Sequence, residues 1–231
     1  MTDLDQLRAT LSHRDDPALP LAEAAYRYLL REIIDMSLKP GEVLNEADLQ
    51  RRLGAGRTPI REALLRLAGD RLVTIHARRG TFVSDLNVTD LGAVYEVRTE
   101  LERLAARLAA ERRNDAEAVE LASIRGQLPA FVRGSDADGL MTIDLYLHRL
   151  VFRLARNSFL ADTLEHYLNL STRLARAAVE RTGASSSVWL ADALLGFIPL
   201  FEAIEGRRPE AAVAAAMEHA AAVEAHVRRS V

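Results

Sequence analysis

The segment Gly54–Leu64 limits what this chain can fold into more than any other part of the sequence. A glycine-rich turn leads into a helix whose first turn holds Arg57, Thr58 and Pro59, followed by Arg61. Proline is tolerated there because amides in the first helical turn have no intrahelical partner. Two arginines beside the positive end of a helix dipole favour phosphate. The segment predicts the turn and second helix of a DNA-binding helix-turn-helix, although an amphipathic helix with a solvated basic face has the same pattern.

The preceding sequence supplies the other helices of such a motif. Apolar residues at helical spacing predict a first helix at about 21–36. Pro40 and Gly41 form a strong turn signal, and Asn45 is a good N-cap for a short helix that ends at about Leu53. A helix starting near Arg57 is therefore expected to be the third.

Two short β-strands are expected after the third helix, at 71–76 and 81–83. The residues that join them, 77–80, include Arg78 and Arg79, so the hairpin has a basic tip. Three helices followed by a basic hairpin predict a winged helix-turn-helix.

Positive charge is concentrated in the same region. Between Gln50 and Ser84 there are eight arginines and two acidic residues, a net charge of +6, whereas the whole chain carries −3. A basic patch on an otherwise acidic protein is the charge pattern of a localised nucleic-acid-binding surface.

Length and composition set the remaining limits. A chain of 231 residues is too long for a winged helix alone, and its 49% hydrophobic and 27% charged residues are typical of a globular protein. It contains no cysteine, which excludes disulfides and thiolate chemistry and fits a cytoplasmic location. We expect no membrane span and a flexible, polar lead-in at 1–19 without a signal-peptide core.

Nearly all of the sequence after residue 86 has the apolar period of α-helices. The predicted fold is therefore mainly α, with a winged helix-turn-helix at 20–85 and an all-α antiparallel bundle at 86–231. Helices are expected at about 90–112, 115–133, 137–155, 158–182, 187–205 and 208–230.

Three polar features of the bundle sequence could take part in ligand or metal binding. Arg98 and Glu102 lie one helical turn apart, a spacing that also suits a surface ion pair. Asp144 and His148 have the same spacing and can either chelate a metal ion together or form a hydrogen-bonded couple. His219, in the last helix, could reach the same cavity of an antiparallel bundle.

Four motifs in order give the first part of the chain a resemblance to the GntR family of bacterial transcription regulators: Leu38–Gly41, Asn45-Glu46, Arg57–Leu64 and Arg79–Val83. In that family a serine or threonine usually precedes the Arg-Thr-Pro run, where this chain has Gly56. The residues expected to contact DNA are Arg57, Thr58 and Arg61 in the major groove and Arg78, Arg79 and Gly80 in the minor groove.

The second part resembles the FCD domain, the helical effector domain of the FadR subfamily. The matching residues are Leu91, Tyr95, Arg98, Glu102, Asp144, His148, Asn157, Ala203, Ile204, Gly206 and His219. The resemblance implies a divalent metal held by one aspartate and three histidines, and an arginine that helps to bind a carboxylate effector. It implies Arg98 and Asn157 as effector-binding candidates, and Phe197, which departs from the family pattern, is a third candidate.

The resemblance implies Asp144, His148 and His219 as metal ligands, but the third histidine of the pattern is missing. Counting back from Ala203 without a gap places Phe197 at its position. Two outcomes stay open: three donors hold a divalent ion such as zinc, or Phe197 makes an apolar cavity for a longer effector.

The leading hypothesis is a dimeric, ligand-responsive regulator, a repressor of a metabolic operon that binds a palindromic operator in double-stranded DNA. One alternative is a constitutive DNA-binding protein whose bundle only dimerises. Another is a metal-dependent enzyme using Asp144, His148 and His219, which no dedicated general base or phosphate loop supports. We therefore expect no enzymatic activity.

Overall fold

The computed structural model describes residues 19–183 and 186–230 and divides into two compact units after Asn87. The first unit contains the predicted DNA-binding elements, and the second contains the predicted bundle. The lead-in expected at 1–19 lies, except for its last residue, outside the described residues.

The described residues of the first unit form three helices and a two-stranded antiparallel sheet. The elements are α1 (Leu21–Ile34), α2 (Glu46–Leu53), α3 (Arg57–Gly69), β1 (Val73–His76) and β2 (Gly80–Val83). Helix α1 packs on α3, and both bury an apolar stripe that includes Leu29, Ile33, Ile60, Leu64 and Leu67. The mainly α fold with a β-hairpin wing is confirmed.

Local sequence signals account for the ends of α2. The side-chain oxygen of Asn45 accepts hydrogen bonds from the amides of Ala47 (2.9 Å) and Asp48 (3.3 Å), as an N-cap does. Gly54 ends the helix with φ +59°, in the left-handed region that other residues rarely adopt. The turn between α2 and α3 therefore depends on glycine at this position.

The wing differs from the prediction in two details. Gly80 belongs to β2, where it pairs with His76, instead of the turn to which we assigned it. The amide of Leu44 donates to the carbonyl of Thr81 (2.8 Å), and the amide of Val83 donates to that of Glu42 (2.9 Å). This third pairing segment was not predicted because its partners are about 40 residues away.

In the part that the structure describes, the second unit is a bundle of seven helices built around α4, which contacts α6, α7, α9 and α10. Its helices are α4 (Val88–Arg112), α5 (Asp115–Gly134), α6 (Ala137–Leu154), α7 (Ser158–Thr182), α8 (Ser186–Leu195), α9 (Phe197–Glu205) and α10 (Pro209–Ser230). The single helix expected at 187–205 was wrong, because the chain breaks at Gly196 into α8 and α9.

One stretch of this bundle, Ser186–Glu205, is long and apolar enough to cross a membrane by length and composition, with a mean hydropathy of 1.6. The sequence-based expectation overlooked it. In the fold the stretch is interrupted at Gly196, and Leu194, Phe197 and Phe201 are buried in the bundle core. Core helices commonly have this composition, so the stretch is weak evidence for a membrane.

Candidate nucleic-acid interface and ligand cavity

The start of α3 presents the residues predicted to contact DNA. Gly56 occupies the N-cap without a side-chain hydrogen bond, so the first amides of α3 have no side-chain cap. The side chains of Arg57 and Arg61 are 68% and 52% exposed, and Thr58 is exposed as well. An uncapped helix start with two exposed arginines suits a phosphate or a base edge.

Both arginines face an acidic residue of α2 that we did not assign to this surface. Arg61 donates from Nε to both carboxylate oxygens of Glu46, at 3.2 and 3.0 Å, and the Nε of Arg57 lies 3.7 Å from the same carboxylate. These contacts join α2 to α3 on the predicted DNA-facing side.

The wing tip exposes the other predicted contacts, Arg78, Arg79 and Gly80. Arg78 lies in the turn with φ +65°, and Gly80 has φ +111°. Two cationic side chains at the end of a thin hairpin have the shape and charge to enter a minor groove.

Other arginines of the basic region have structural roles. Arg66 donates to Glu23 (2.7 Å), and its guanidinium lies over the Tyr26 ring at 4.0 Å from the centroid. The hydrogen bonds from Arg66 and Arg27 hold the pKa of Glu23 below its usual value of 4.5. Counting charges in the sequence therefore overestimates the number of arginines available to DNA.

A buried polar network lies inside the second unit. Arg98, only 6% exposed, donates to Glu102 from Nε (2.9 Å), to the hydroxyl of Ser171 (2.6 Å) and to Nε2 of His148 (3.0 Å). This burial rules out the surface ion pair that we left open for Arg98 and Glu102. Ser171 was not predicted, since it lies 73 residues from Arg98 and the sequence between them gives no signal.

These contacts determine the protonation of His148. A guanidinium only donates hydrogen bonds, so Nε2 of His148 must accept. The ring proton is then on Nδ1, which faces Oε1 of Glu102 at 3.3 Å. Burial and the charge of Arg98 lower the pKa of His148 well below 6.5, so the ring is neutral.

The protonation of His219, on α10, is also determined by its contacts. Its ring donates to the backbone carbonyl of Ala193, while Nε2 is buried without a partner among the described residues. The donor is therefore Nδ1, and Nε2 carries a free lone pair. Burial, followed by the charge of Arg98, lowers the pKa of His219 to about 4.

The absence of a side chain at Gly196 leaves room for the contact between His219 and the carbonyl of Ala193. A Cβ atom there would lie 3.1 Å from Nδ1 of His219 and 3.0 Å from the carbonyl oxygen of Ala193. Both distances are shorter than ordinary van der Waals contact. A larger residue at this position would push the imidazole away from the carbonyl.

The predicted metal ligands lie together. Asp144, His148 and His219 each offer one ligand atom, and these atoms lie within 4.8 Å of one another. Burial raises the pKa of Asp144 to about 7, against the opposing charge of Arg98, although its side chain keeps 26% exposure. Histidines that bind metals usually donate their other ring N–H to a carboxylate or a carbonyl. His219 does so to the carbonyl of Ala193, and Nδ1 of His148 faces the carboxylate of Glu102 at 3.3 Å.

The donor set therefore fits a divalent metal with three protein ligands, provided that one neighbour moves. Nη2 of Arg98 lies 3.0 Å from Nε2 of His148 and uses the lone pair that a metal needs. Phe197 packs against both rings, with its ring centroid 4.9 Å from that of His148 and 4.4 Å from that of His219. Phe197 lies next to both histidines, at the place where the FCD resemblance predicts a third one.

Two cavities adjoin this cluster. The inner one has a volume of about 10 Å³, room for one water molecule, and is lined by Glu102, Ala106, His148, Val151, Phe152, Phe197, Leu200, Ala216 and His219. The outer one, about 320 Å³, opens between α10 and the α8–α9 segment beside Trp189 and His226. His219 lines both cavities.

Asn157 does not line either cavity. Its side-chain oxygen caps α7 by accepting from the amide of Leu160 at 3.2 Å. Because its side chain is engaged in this cap, we leave Asn157 out of the effector site that we propose below.

A winged helix-turn-helix joined in one chain to an all-α bundle defines a class, the two-domain transcription regulators. Residues 21–83 match the family described as bacterial regulatory proteins of the gntR family, and residues 93–222 match the FCD domain. The chain therefore belongs to the GntR family of transcription regulators, in the subgroup with an FCD domain.

Similar proteins agree with this assignment. The HTH-type transcriptional repressor RspR of Escherichia coli (strain K12) is 23% identical over 95% of this chain and 94% of its own. A probable D-xylose utilization operon transcriptional repressor of Paenarthrobacter nicotinovorans is 30% identical over 84% of this chain and 83% of its own. The structure of E. coli McbR/YncC superposes with a TM-score of 0.79 at 20% identity, covering 91% of this chain and 98% of McbR, and shows the shared fold.

The enzyme alternative is excluded, because family and relatives are DNA-binding regulators.

Proposed function

We propose that this protein is a cytoplasmic, dimeric repressor of a metabolic operon that changes its DNA affinity when a small carboxylate binds in the helical bundle. The observation that carries this proposal is the buried guanidinium of Arg98, bonded to His148 in a cluster where His219 keeps a free lone pair. A buried arginine that meets a neutral imidazole and a hydroxyl can exchange those contacts for a carboxylate ligand. Two relatives are named as transcriptional repressors, which supports repression rather than activation.

On the DNA side, Arg57 and Arg61 bind phosphates and guanine edges in the major groove, and Thr58 contacts the backbone. Arg78 and Arg79, with Gly80 between strand and turn, approach the minor groove. One winged helix reads few base pairs, so two copies on a palindromic operator provide the specificity.

On the ligand side, Asp144, His148 and His219 would hold a divalent metal such as zinc. Such an ion would supply a Lewis acid for the oxygens of a carboxylate effector. Arg98 supplies the second positive group for the effector, and Phe197 supplies an apolar wall. Three protein ligands leave coordination positions for water or effector.

The size of the inner cavity implies a rearrangement. Since it has room for only about one water molecule, an effector displaces side chains when it binds. Arg98 is the first candidate to move, because it occupies the lone pair of His148. A ligand that binds one arrangement better than another shifts the equilibrium between them, which is the requirement for control of DNA binding.

Fluorescence anisotropy with the DNA immediately upstream of the protein's own gene tests this function. We expect tight, sequence-selective binding with a steep dependence on salt, measured against an unrelated duplex. Small mono-, di- and tricarboxylic acids are then added with and without zinc. An acid that shifts wild-type affinity but not that of Arg98→Gln supports the proposal. Operator binding that no acid changes would favour the alternative in which the bundle only dimerises, and absence of binding to any duplex would refute the DNA-binding role.

A further inference from the structure

The contact between α2 and α3 involves an acidic residue at a place where charge repulsion with DNA is expected. Glu46 is the first residue of α2, and its carboxylate lies 3.0 Å from Nε of Arg61 and 3.7 Å from Nε of Arg57. Glu46 is less exposed (30%) than either arginine (52% and 68%). The carboxylate is therefore more shielded from solvent than the side chains of the two arginines that it contacts.

The atoms used in this contact affect how Arg61 can bind. Glu46 accepts from Nε, and no described hydrogen bond uses the two terminal amino groups of Arg61. Terminal amino groups are the donors that can bind O6 and N7 of guanine together. A side chain held by its Nε reaches a base with less loss of rotational freedom than an unrestrained one.

The negative charge of Glu46 affects the affinity of the protein for DNA of any sequence. Non-specific DNA binding depends on lysine and arginine charges that replace counterions on phosphates. A carboxylate close to two of these charges reduces their attraction for phosphate without blocking a directed hydrogen bond. It weakens non-specific binding more than specific binding.

We propose that Glu46 is a specificity-determining residue of the DNA-binding surface, which orients Arg61 for base contact and suppresses sequence-independent binding. The inference depends on the proposed placement of Arg57 and Arg61 at the DNA. It goes beyond that placement, since it assigns to an acidic residue a role in discriminating between sequences.

The variant Glu46→Gln tests this role, because it removes the charge and keeps a side chain of the same length. Asp48→Asn is the matched control, since Asp48 is on the same short helix, carries the same charge and pairs with Arg51 instead. The full-length protein is titrated by anisotropy, over a salt series, against a random-sequence duplex. A second probe is the tightest duplex that wild type selects from a random pool. Thermal melting confirms that all variants are folded.

We expect Glu46→Gln to bind the random duplex about twofold to fivefold more tightly than wild type, the range of an exposed ion pair. Its salt dependence should be steeper, and the ratio of selected to random affinity should fall by about twofold to tenfold. Asp48→Asn should leave that ratio unchanged.

The charge-preserving variant Glu46→Asp separates orientation from charge. Its shorter side chain withdraws from Arg61, so the affinity for the selected duplex should fall while random-duplex binding stays near wild type. Equal behaviour of Glu46→Gln and Asp48→Asn would overturn the inference, because Glu46 would then act only through net charge. If wild type itself selects no sequence, the proposed DNA-binding role has failed instead.

Discussion

Arg98 and His148 are joined by a buried hydrogen bond of 3.0 Å between Nη2 of the guanidinium and Nε2 of the imidazole. This nitrogen is also the one through which His148 would bind a metal ion, because its Nδ1 proton faces Glu102. The hydrogen bond and a metal–nitrogen bond exclude each other, since each needs the same lone pair. The position of Arg98 therefore controls the availability of the proposed metal site.

We expect Arg98→Gln to bind zinc more tightly than wild type, by about tenfold. Metal binding no longer has to break a charge-assisted hydrogen bond, which is worth about 1.5–3 kcal/mol. Isothermal titration of the metal-free proteins measures the change. Arg103→Gln is the control, because Arg103 lies on the same helix in an exposed pair with Glu100. Weaker zinc binding by Arg98→Gln would show that Arg98 supports the metal site instead of closing it.

Arg98 and Arg103, both on α4, should also differ in their contribution to stability. Arg98→Ala leaves the buried carboxylate of Glu102 without its main partner, and we expect a loss of about 3–5 kcal/mol in the free energy of unfolding. Arg103→Ala removes an exposed ion pair and should cost less than about 1 kcal/mol. Urea denaturation followed by circular dichroism gives both values. Similar losses for the two variants would contradict the burial of the Arg98 network.

Phe197→His should restore a fourth donor beside His148 and His219. The variant is expected to be less stable than wild type without metal, since it introduces a polar group at a core position that is 1% exposed. Zinc should raise its melting temperature more than it raises that of wild type. Phe201→His, at another buried phenylalanine of α9, serves as the control and should lose stability without an additional response to zinc.

Arg61→Ala should lower operator affinity by roughly 1–3 kcal/mol, as expected for an arginine that contacts a base. Arg66→Ala changes the same residue type on the same helix, but Arg66 contacts Glu23 and Tyr26 within its own unit. It should reduce stability and leave the affinity of the folded protein close to wild type. Anisotropy and thermal melting separate the two effects, and unchanged affinity in Arg61→Ala would refute the placement of α3.

Glu23 should make a pH-dependent contribution to the stability of the first unit. Its pKa is lowered from 4.5 in the folded state, mainly by the hydrogen bond from Arg66. A lowered carboxyl pKa stabilises the fold above the unfolded pKa, and this contribution is lost as the pH falls through the folded pKa. The stability difference between wild type and Glu23→Gln should be largest near pH 7 and shrink below about pH 4.5. In an Arg66→Ala background the pH dependence should be weaker.

The local elements were predictable because their signals are local. The cap at Asn45 and the left-handed Gly54 depend on neighbouring backbone groups, so the sequence places α2 and its turn correctly. The break at Gly196 was missed because glycine is tolerated within helices. What distinguishes this glycine is the approach of His219 from another helix, which periodicity along one helix cannot show.

By itself, the sequence determined the class of the fold and the winged helix-turn-helix with its basic surface, and it predicted Asp144, His148 and His219 as metal donors. Helical periodicity, caps and short motifs act within a few residues of each other, so they can be read in order along the chain. Only the tertiary structure decided which charges are free and which are paired. Folding brings Ser171 to Arg98 and Glu46 to Arg61, and it buries the Arg98–Glu102 pair that spacing alone also allowed on the surface. Hydrogen-bond strength and pKa depend on burial and on distant neighbours, which helix packing fixes and sequence spacing does not.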